Sequence, residues 1–206
     1  MIGRLESTNR TAPPRSQARA RGSVIGMLVT LWALPGASFG DELFVTLGQG
    51  PQPHASQRNE TVGFDYSFYH FERSARQRIS VGVSYTRLQT NAADHTGLYA
   101  LTVYPQVTLI PAKTSRIAAH SPHWAEPFFF VRALGPSYIS NSTLGSRRQA
   151  EHFAFQAQLG MGVQLNPGAD RHAVIAVSWK HFSNANLYRA NDGIDVPLVI
   201  SVGVRF

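Results

Sequence analysis

The sequence predicts an all-β fold, an eight-stranded antiparallel transmembrane β-barrel of the outer-membrane type. Apolar residues alternate with small or polar ones over eight successive segments, and a period of two is that of a β-strand. Most of these segments reach the roughly nine to eleven residues that a strand needs to cross a bilayer. The face opposite the apolar one is polar but nearly uncharged, which is typical of the interior of a small membrane barrel.

A soluble lipocalin-like barrel would show the same alternation with its apolar face inside. Its outer face would normally carry more Lys and Glu than these segments do. The chain also closes on an alternating Val202-Gly-Val-Arg-Phe206, as the ends of outer-membrane proteins do. Aromatic residues near strand ends indicate interfacial girdles, namely Phe44, Phe68, Tyr85, Tyr99, Trp124 and Trp179. We therefore favour the membrane barrel over a secreted lipocalin-like carrier.

Residues 1–40 are predicted to be a secretory signal peptide that is removed, and 41–206 to form the barrel domain. Five arginines precede an apolar run, Val24–Leu34, and small residues follow it. Basic, apolar and small residues in that order are the pattern of a signal peptide. The run is too short to span a bilayer, which needs about 20 apolar residues. We expect cleavage after Gly40, with cleavage after Ala37 as the alternative.

Much of the positive charge of the chain lies in this leader. The chain has 19 basic and 12 acidic residues, and residues 1–40 contain five of the basic and one of the acidic residues. Residues 41–206 therefore keep 14 basic and 11 acidic residues, and the net charge falls from +7 to +3. The high isoelectric point is therefore poor support for nucleic-acid binding, and no nucleic-acid partner is predicted. A modest excess of Arg and Lys suits a phosphorylated lipid. The chain has no Cys, which excludes disulfides and a thiolate nucleophile.

The first four strands are predicted from clear alternation. They are expected at about 42–48, 62–68, 79–86 and 99–109, each with apolar residues on one face and mostly small or polar residues on the other. The stretch 49–60 between the first two is predicted to be a polar external loop, and it contains no recognisable motif.

The last four strands are expected at about 124–139, 153–164, 172–184 and 195–206. The first of these is the least regular, because Phe128-Phe-Phe130 interrupts its alternation. The segment 153–164 gives the strongest signal, since every second residue is apolar and the others are Ala, Gln or Gly.

A candidate catalytic pair lies at the end of the seventh strand. His181 and Ser183 are two residues apart, so both side chains leave the same face of a strand. A base beside a hydroxyl can form an activated nucleophile. With both chain termini in the periplasm, the seventh strand runs outward, which places the pair at the depth of the outer leaflet, where lipopolysaccharide lies. The same face is apolar and would meet lipid, since it carries Ala173, Ile175, Val177 and Trp179.

A carboxylate is expected from the start of the eighth strand. Asp195 follows the turn Asn191-Asp-Gly193 and can return to the imidazole. The alternation that runs back from the C-terminus, however, would point Asp195 inward. Proline cannot donate to the ladder and often marks a bulge, which shifts the alternation by one residue. We therefore predict a bulge near Val196-Pro197, and without it Asp192 is the alternative acid.

These residues resemble the end of a known family. Three features are similar to the last part of the lipid A 3-O-deacylases (PagL family): His181-Phe-Ser183-Asn184-Ala185, then Asn191-Asp-Gly-Ile-Asp195, then a short strand that ends at Phe206. The resemblance implies an eight-stranded outer-membrane esterase of Gram-negative bacteria that hydrolyses the 3-position ester of lipid A and releases a 3-hydroxy fatty acid. It also implies Ser183 as nucleophile, His181 as base and Asp195 as acid. The usual acid of the family is Glu, so Asp195 is a departure.

Such a mechanism needs donors for the oxyanion but no metal and no cofactor. The candidates are Asn166, Asn184 and backbone amides near Gly160 and Gly162, and the sequence does not choose among them. Lipid A or lipopolysaccharide would be the substrate partner. The sequence leaves open whether the barrel forms a homodimer. The alternative function is a structural or adhesion barrel without chemistry.

Overall fold

Eight antiparallel strands form at the predicted places. In the computed structural model, the residues described are 37–38, 42–112, 122–167 and 169–206. The strands are β1 (Glu42–Pro51), β2 (Arg58–Ser74), β3 (Gln77–Thr90), β4 (Gly97–Leu109), β5 (Ala125–Ile139), β6 (Phe153–Leu165), β7 (His172–Ser183) and β8 (Ile194–Arg205). The loop predicted at 49–60 is shorter than expected, because β1 continues to Pro51 and β2 already begins at Arg58. The predicted signal peptide lies outside the described residues, apart from Ala37–Ser38, and remains a prediction.

The eight strands close into a barrel. Each pairs with its neighbours along the chain, and β1 also pairs with β8, for example Val45 with Val202. Closure leaves no free edge, so the backbone groups of every strand find partners within the sheet. No helix among the described residues is long and apolar enough to cross a membrane. Two shorter pairings also occur among the described residues: Ala37–Ser38 pairs with β2 in the barrel sheet, and Thr143–Leu144 forms a small separate hairpin with Arg147–Arg148.

The apolar face of the strands is the outer face of the barrel. Leu47 is 58% exposed and Leu159 is 57% exposed, whereas the alternating neighbour Thr46 is fully buried. The buried polar residues are mostly Ser, Thr and Gln, and they share the interior with clusters of apolar side chains. A soluble lipocalin-like barrel would have the opposite arrangement, so the structure supports the membrane barrel.

Part of the lumen is filled by a polar network around a buried ion pair, and a second buried pair joins Arg78 to Glu42 at 3.0 Å. Arg132 on β5 pairs with Asp65 on β2, and both side chains are almost completely buried. Arg132 also donates to Gln106 at 2.7 Å and to Gln158 at 3.1 Å, and its guanidinium lies 3.8 Å from the centre of the Tyr104 ring. Buried charges are tolerated when they are paired and hydrogen-bonded in this way.

The irregular Phe128-Phe-Phe130 segment has a simple explanation in packing. Phe128 and Phe130 are buried in the lumen, where they form a cluster with Phe44. The opposing β6 residues are Gly162 and Gly160. A Cβ on Gly160 would lie 2.5 Å from Phe130 Cε1, so only glycine leaves room for the ring. The assignment of Phe44 to an interfacial girdle was wrong, since its ring occupies the lumen.

Candidate active site

His181 and Ser183 lie on the outer face at the end of β7, as predicted. Their neighbours Lys180 and Phe182 are fully buried in the lumen, while the side chain of His181 is 25% exposed. His181 is paired with Ala157 and Ser183 with Phe155 on β6. This end of the barrel carries the loops 52–57, 91–96, 140–152 and 184–193, and we call it the loop end.

A bulge in β8 brings Asp195 to the same face as His181. Ser178 is paired with Val199, but Lys180 is paired with Val196, so β8 has one more residue than β7 over this interval. The extra residue falls at the predicted place, beside Pro197. As a result Val196 is buried in the lumen and Asp195 stands opposite His181. The Nδ1 atom of His181 lies 2.9 Å from Oδ1 of Asp195.

Asp192, the alternative acid, has a different role. Its Oδ2 accepts a hydrogen bond of 2.8 Å from the backbone N of Arg148, and its own backbone N donates to the Arg148 carbonyl at 3.0 Å. These contacts join the loop 184–193 to the small hairpin that precedes β6. The bulge therefore makes Asp195, rather than Asp192, the carboxylate of the cluster.

The carboxylate of Asp195 is held by two further donors. Trp179 Nε1 donates to Oδ1 at 3.0 Å, and Gln52 Nε2 donates to Oδ2 at 3.1 Å. The Trp179 ring also stacks on the His181 ring, with centroids 5.3 Å apart and planes inclined by 26°. The imidazole is thus fixed at Nδ1 by the carboxylate and on one face by the indole.

Gly193 lies against the edge of the imidazole. Its φ of +64° is in the left-handed region that glycine adopts readily. A Cβ at this position would lie 2.9 Å from Cε1 of His181. The Gly193 carbonyl accepts a hydrogen bond of 2.9 Å from Arg147 Nε, which ties this part of the loop to the small hairpin. A side chain at position 193 would therefore displace the imidazole or the loop.

This arrangement leaves Nε2 of His181 to accept a proton. When Nδ1–H donates to Asp195, the neutral ring has its acceptor at Nε2. Ser183 is partly exposed on the same face, about 6.6 Å further along the strand from Cα to Cα. Within the described part of the chain, no hydrogen bond joins the Ser183 hydroxyl to His181. Such bonds are often long in the free enzyme and shorten when substrate binds.

The prediction of Asn166 as an oxyanion donor was wrong, because Asn166 lies at the end of the barrel opposite the loop end. It follows Leu165, which pairs with Ala173 near the start of β7. Ala173 precedes Ser183 by ten residues, about 33 Å along an extended strand.

Gly160 and Gly162 are also too distant. They pair with Ser178 and Ala176, about 16 Å and 23 Å from Ser183 along the strand. Their Cα atoms face the Phe130 and Phe128 rings in the lumen. Their role is to make space for these rings, so they too were wrong as candidates.

Asn184 follows Ser183 directly but faces the other way. Its side chain is fully buried, and its Nδ2 donates to the Ala190 carbonyl at 3.1 Å. Its backbone N donates to Oδ1 of Asn191 at 2.8 Å. Both described bonds hold the loop 184–193 in shape, so the structure gives Asn184 a structural function in place of the predicted donor role.

Three residues of the cluster were not among the predicted site residues: Gln52, Trp179 and Gly193. The alternation gave a signal for Trp179, since it shares a face with His181. Gly193 was visible only as part of a turn. Gln52 had no signal, because it lies 143 residues from Asp195 in a loop without a motif.

Comparison with known proteins identifies the family. The family model of the lipid A 3-O-deacylase (PagL) matches residues 79–205, which include His181, Ser183 and Asp195. The chain belongs to the lipid A 3-O-deacylase (PagL) family. A search of curated protein sequences finds no match.

Two solved structures share the fold of this PagL-family chain. The outer membrane enzyme PagL is 17% identical with a TM-score of 0.55, and the alignment covers 80% of this chain and 98% of that one. Neisserial surface protein A (NspA) is 14% identical with a TM-score of 0.50, and the alignment covers 82% of this chain and 97% of that one. At these identities the two structures show the shared fold alone. Membership of the family and a closed eight-stranded sheet with an apolar outer face assign this chain to the outer membrane.

Proposed function

We propose that this PagL-family barrel is a serine esterase that hydrolyses the 3-position ester of lipid A and releases a 3-hydroxy fatty acid. The observation that carries the proposal is the 2.9 Å contact between His181 and Asp195 on the lipid-facing surface, with Ser183 on the same face. A base oriented by a carboxylate beside a hydroxyl is the arrangement of a serine hydrolase. Family membership supports the same reaction.

In the first step, Nε2 of His181 takes the proton of the Ser183 hydroxyl as Oγ attacks the ester carbonyl. Asp195 keeps the proton on Nδ1 and stabilises the imidazolium that forms. When the tetrahedral intermediate collapses, His181 returns the proton to the sugar oxygen, and the acyl chain stays on Ser183. A water molecule, activated by the same imidazole, then releases the 3-hydroxy fatty acid and restores the serine.

The oxyanion of the intermediate needs donors near Ser183. The turn that follows the nucleophile places Ala185 and Asn186 at φ of +53° and +60°. Among the described hydrogen bonds, none uses the backbone N–H of Ala185 or Asn186. We propose these two amides as the donors in place of the candidates that the structure excludes.

The surface next to the cluster suits a lipid substrate. With the termini in the periplasm, the loop end is extracellular, and the site lies where the outer leaflet meets the barrel. Below Trp179, a groove of about 390 Å³ on the outer face is lined by apolar side chains that include Phe129, Leu159, Val177 and Leu198. An acyl chain can lie along this groove while its ester carbonyl reaches Ser183.

Asp195 is one methylene shorter than the glutamate usual in the family. The backbone of Asp195 is paired directly with that of His181 across β7 and β8. The carboxylate reaches Nδ1 at a normal hydrogen-bond distance. The shorter acid is thus compatible with the proposed role.

The proposal is tested by mass spectrometry of lipid A from Gram-negative cells that express the wild type, Ser183→Ala or the control Ser142→Ala. The control serine is also partly exposed, but it lies in the loop 140–152, outside the cluster. We expect lipid A to lose one 3-hydroxyacyl chain with the wild type and the control, and to stay intact with Ser183→Ala. Intact lipid A in all three strains, with folded protein in the outer membrane, would favour a structural or adhesion barrel.

A further inference from the structure

We infer that Gln52 is a positioning residue for the acid, through which the first loop of the loop end orients Asp195 toward His181. The inference rests on the proposed function and assigns a role in it to a residue outside the Ser/His/Asp group. Gln52 begins the loop 52–57 between β1 and β2 and is 2% exposed. It does not face the lipid, so it cannot bind substrate directly.

The Gln52 amide contacts Asp195 at two points. Nε2 donates to the carboxylate Oδ2 at 3.1 Å, and Oε1 accepts from the backbone N of Asp195 at 2.9 Å. One side chain therefore fixes both the backbone and the carboxylate of the same residue. Because His181 and Trp179 use Oδ1, the bond from Gln52 is the one that sets the rotation of the carboxylate plane.

Buried neighbours determine which way the Gln52 amide points. Asn59 Nδ2 donates to Oε1 of Gln52 at 2.7 Å and to the Asp195 carbonyl at 2.8 Å. Reversing the amide would bring N–H groups face to face at two positions, with the backbone N of Asp195 and with Asn59 Nδ2. Nε2 of Gln52 is therefore the atom that faces the carboxylate.

Asn59 is held in turn by a second glutamine from the same loop. Gln57 Nε2 donates to Oδ1 of Asn59 at 3.1 Å and to the Leu144 carbonyl at 3.2 Å. Its Oε1 accepts from the backbone N of Ser146 at 2.8 Å. The buried amides thus link Asp195 to the small hairpin before β6, and a change in that hairpin can reach the acid through this chain.

The chemical consequence concerns the imidazole. A carboxylate that rotates freely would lose its alignment with Nδ1–H, and the ring would spend less time in the tautomer whose Nε2 accepts the serine proton. Holding the shorter acid of this chain in one orientation is the function that we assign to Gln52. The effect should appear in kcat rather than in KM, since Gln52 acts after substrate has bound.

The test compares Gln52→Glu with Gln52→Ala and a matched control, Gln89→Ala, whose side chain is exposed on β3. Gln52→Glu keeps an acceptor for the Asp195 backbone and for Asn59, but replaces the donor that faces the carboxylate. We expect kcat for lipid A hydrolysis to fall about 10- to 100-fold in both variants, with KM nearly unchanged. Gln52→Ala loses a hydrogen bond to a charged group, and Gln52→Glu sets a second carboxyl group against the Asp195 carboxylate. The control should match the wild type.

A residue that only anchors the loop would behave differently. Gln52→Glu retains the anchoring bonds, so turnover within about twofold of the wild type would overturn the inference. Added to Asp195→Ala, Gln52→Glu should cause no further loss, because its effect passes through the carboxylate. An equal loss in that background would also overturn the inference. If position 52 does not tolerate change, Asn59→Ala tests the same link, and it should lower kcat several-fold while the barrel stays folded.

A second readout does not depend on turnover. The measurement is the Nδ1–H resonance of His181 in the folded barrel with ¹⁵N-labelled histidine. The resonance is assigned by its loss in His181→Ala. It should move in Gln52→Glu and stay in place in Gln89→Ala. An unchanged resonance in Gln52→Glu contradicts the role of Gln52. If the resonance moves in Gln52→Glu as predicted but the wild type hydrolyses no lipid A, the proposed function alone is contradicted.

Discussion

Replacing Gly193 by alanine should disable the site while leaving the barrel intact. The added Cβ would lie 2.9 Å from His181 Cε1, whereas carbon atoms pack at about 3.5–4.0 Å. The two groups must therefore separate by roughly 0.6 Å or more. The loop cannot give way easily, because Arg147 holds the Gly193 carbonyl and the next residue, Ile194, is fully buried. The imidazole is the group that moves.

A displacement of this size is large for catalysis. Catalytic groups need to be held within about 0.5 Å of their working positions, and a shift of about 1 Å can lower the rate by about 10²-fold. We therefore expect kcat for Gly193→Ala to fall about 10- to 100-fold. An alanine at the left-handed φ of +64° should lower the free energy of unfolding by about 1–2 kcal/mol, which a closed barrel should tolerate.

The assay is the initial rate of fatty-acid release from lipid A in vesicles, with urea unfolding measured on the same preparations. Gly97→Ala is the matched control, because its new Cβ would meet only Leu88 O at 3.3 Å and Gln89 Cγ at 3.8 Å, and neither residue belongs to the cluster. Gly97→Ala should retain the wild-type rate. A folded Gly193→Ala barrel that works within about twofold of the wild-type rate would refute the reasoning.

Three further outcomes are expected. Asp195→Asn should lower kcat on the order of 10³- to 10⁴-fold, because an amide no longer holds the right tautomer of the base, and a loss below tenfold would argue against the acid role. Trp179→Phe keeps a ring stacked on the imidazole but removes the Nε1–H donor, so we expect roughly a tenfold fall in kcat; an unchanged rate would show that this donor is dispensable. Asp65→Ala leaves Arg132 without its ion-pair partner in the lumen, so it should lower the free energy of unfolding in urea by about 3–5 kcal/mol. The hydrolysis rate of the folded fraction should not change. A free energy of unfolding equal to that of the wild type would contradict the role of the pair.

The strand pattern and part of the site followed from local rules. Alternation assigned His181 and Ser183 to the outer face because a strand exposes every second residue on one side. Pro197 predicted the bulge because it has no N–H to donate to the ladder, and the observed extra residue on β8 lies there. Both inferences use neighbours in the chain, so one sequence was enough for them.

The parts that failed depend on contacts between distant segments. Nothing near Gln52 in sequence indicates that it reaches Asp195, since the contact exists only after β1 and β8 pair across the closure of the barrel. The oxyanion candidates at positions 160, 162 and 166 were chosen by residue type, which does not show how far along a strand they lie. Phe44 was placed at the interface by residue type in the same way, whereas the register places its ring against Gly203 in the lumen.

The most direct test of the catalytic assignment uses the purified barrel in lipid vesicles with lipid A whose 3-position chain carries an isotopic label. We predict that the wild type releases labelled 3-hydroxy fatty acid and that Ser183→Ala releases none. Release of unlabelled chains from another position, or release of the labelled chain by Ser183→Ala, would contradict the account.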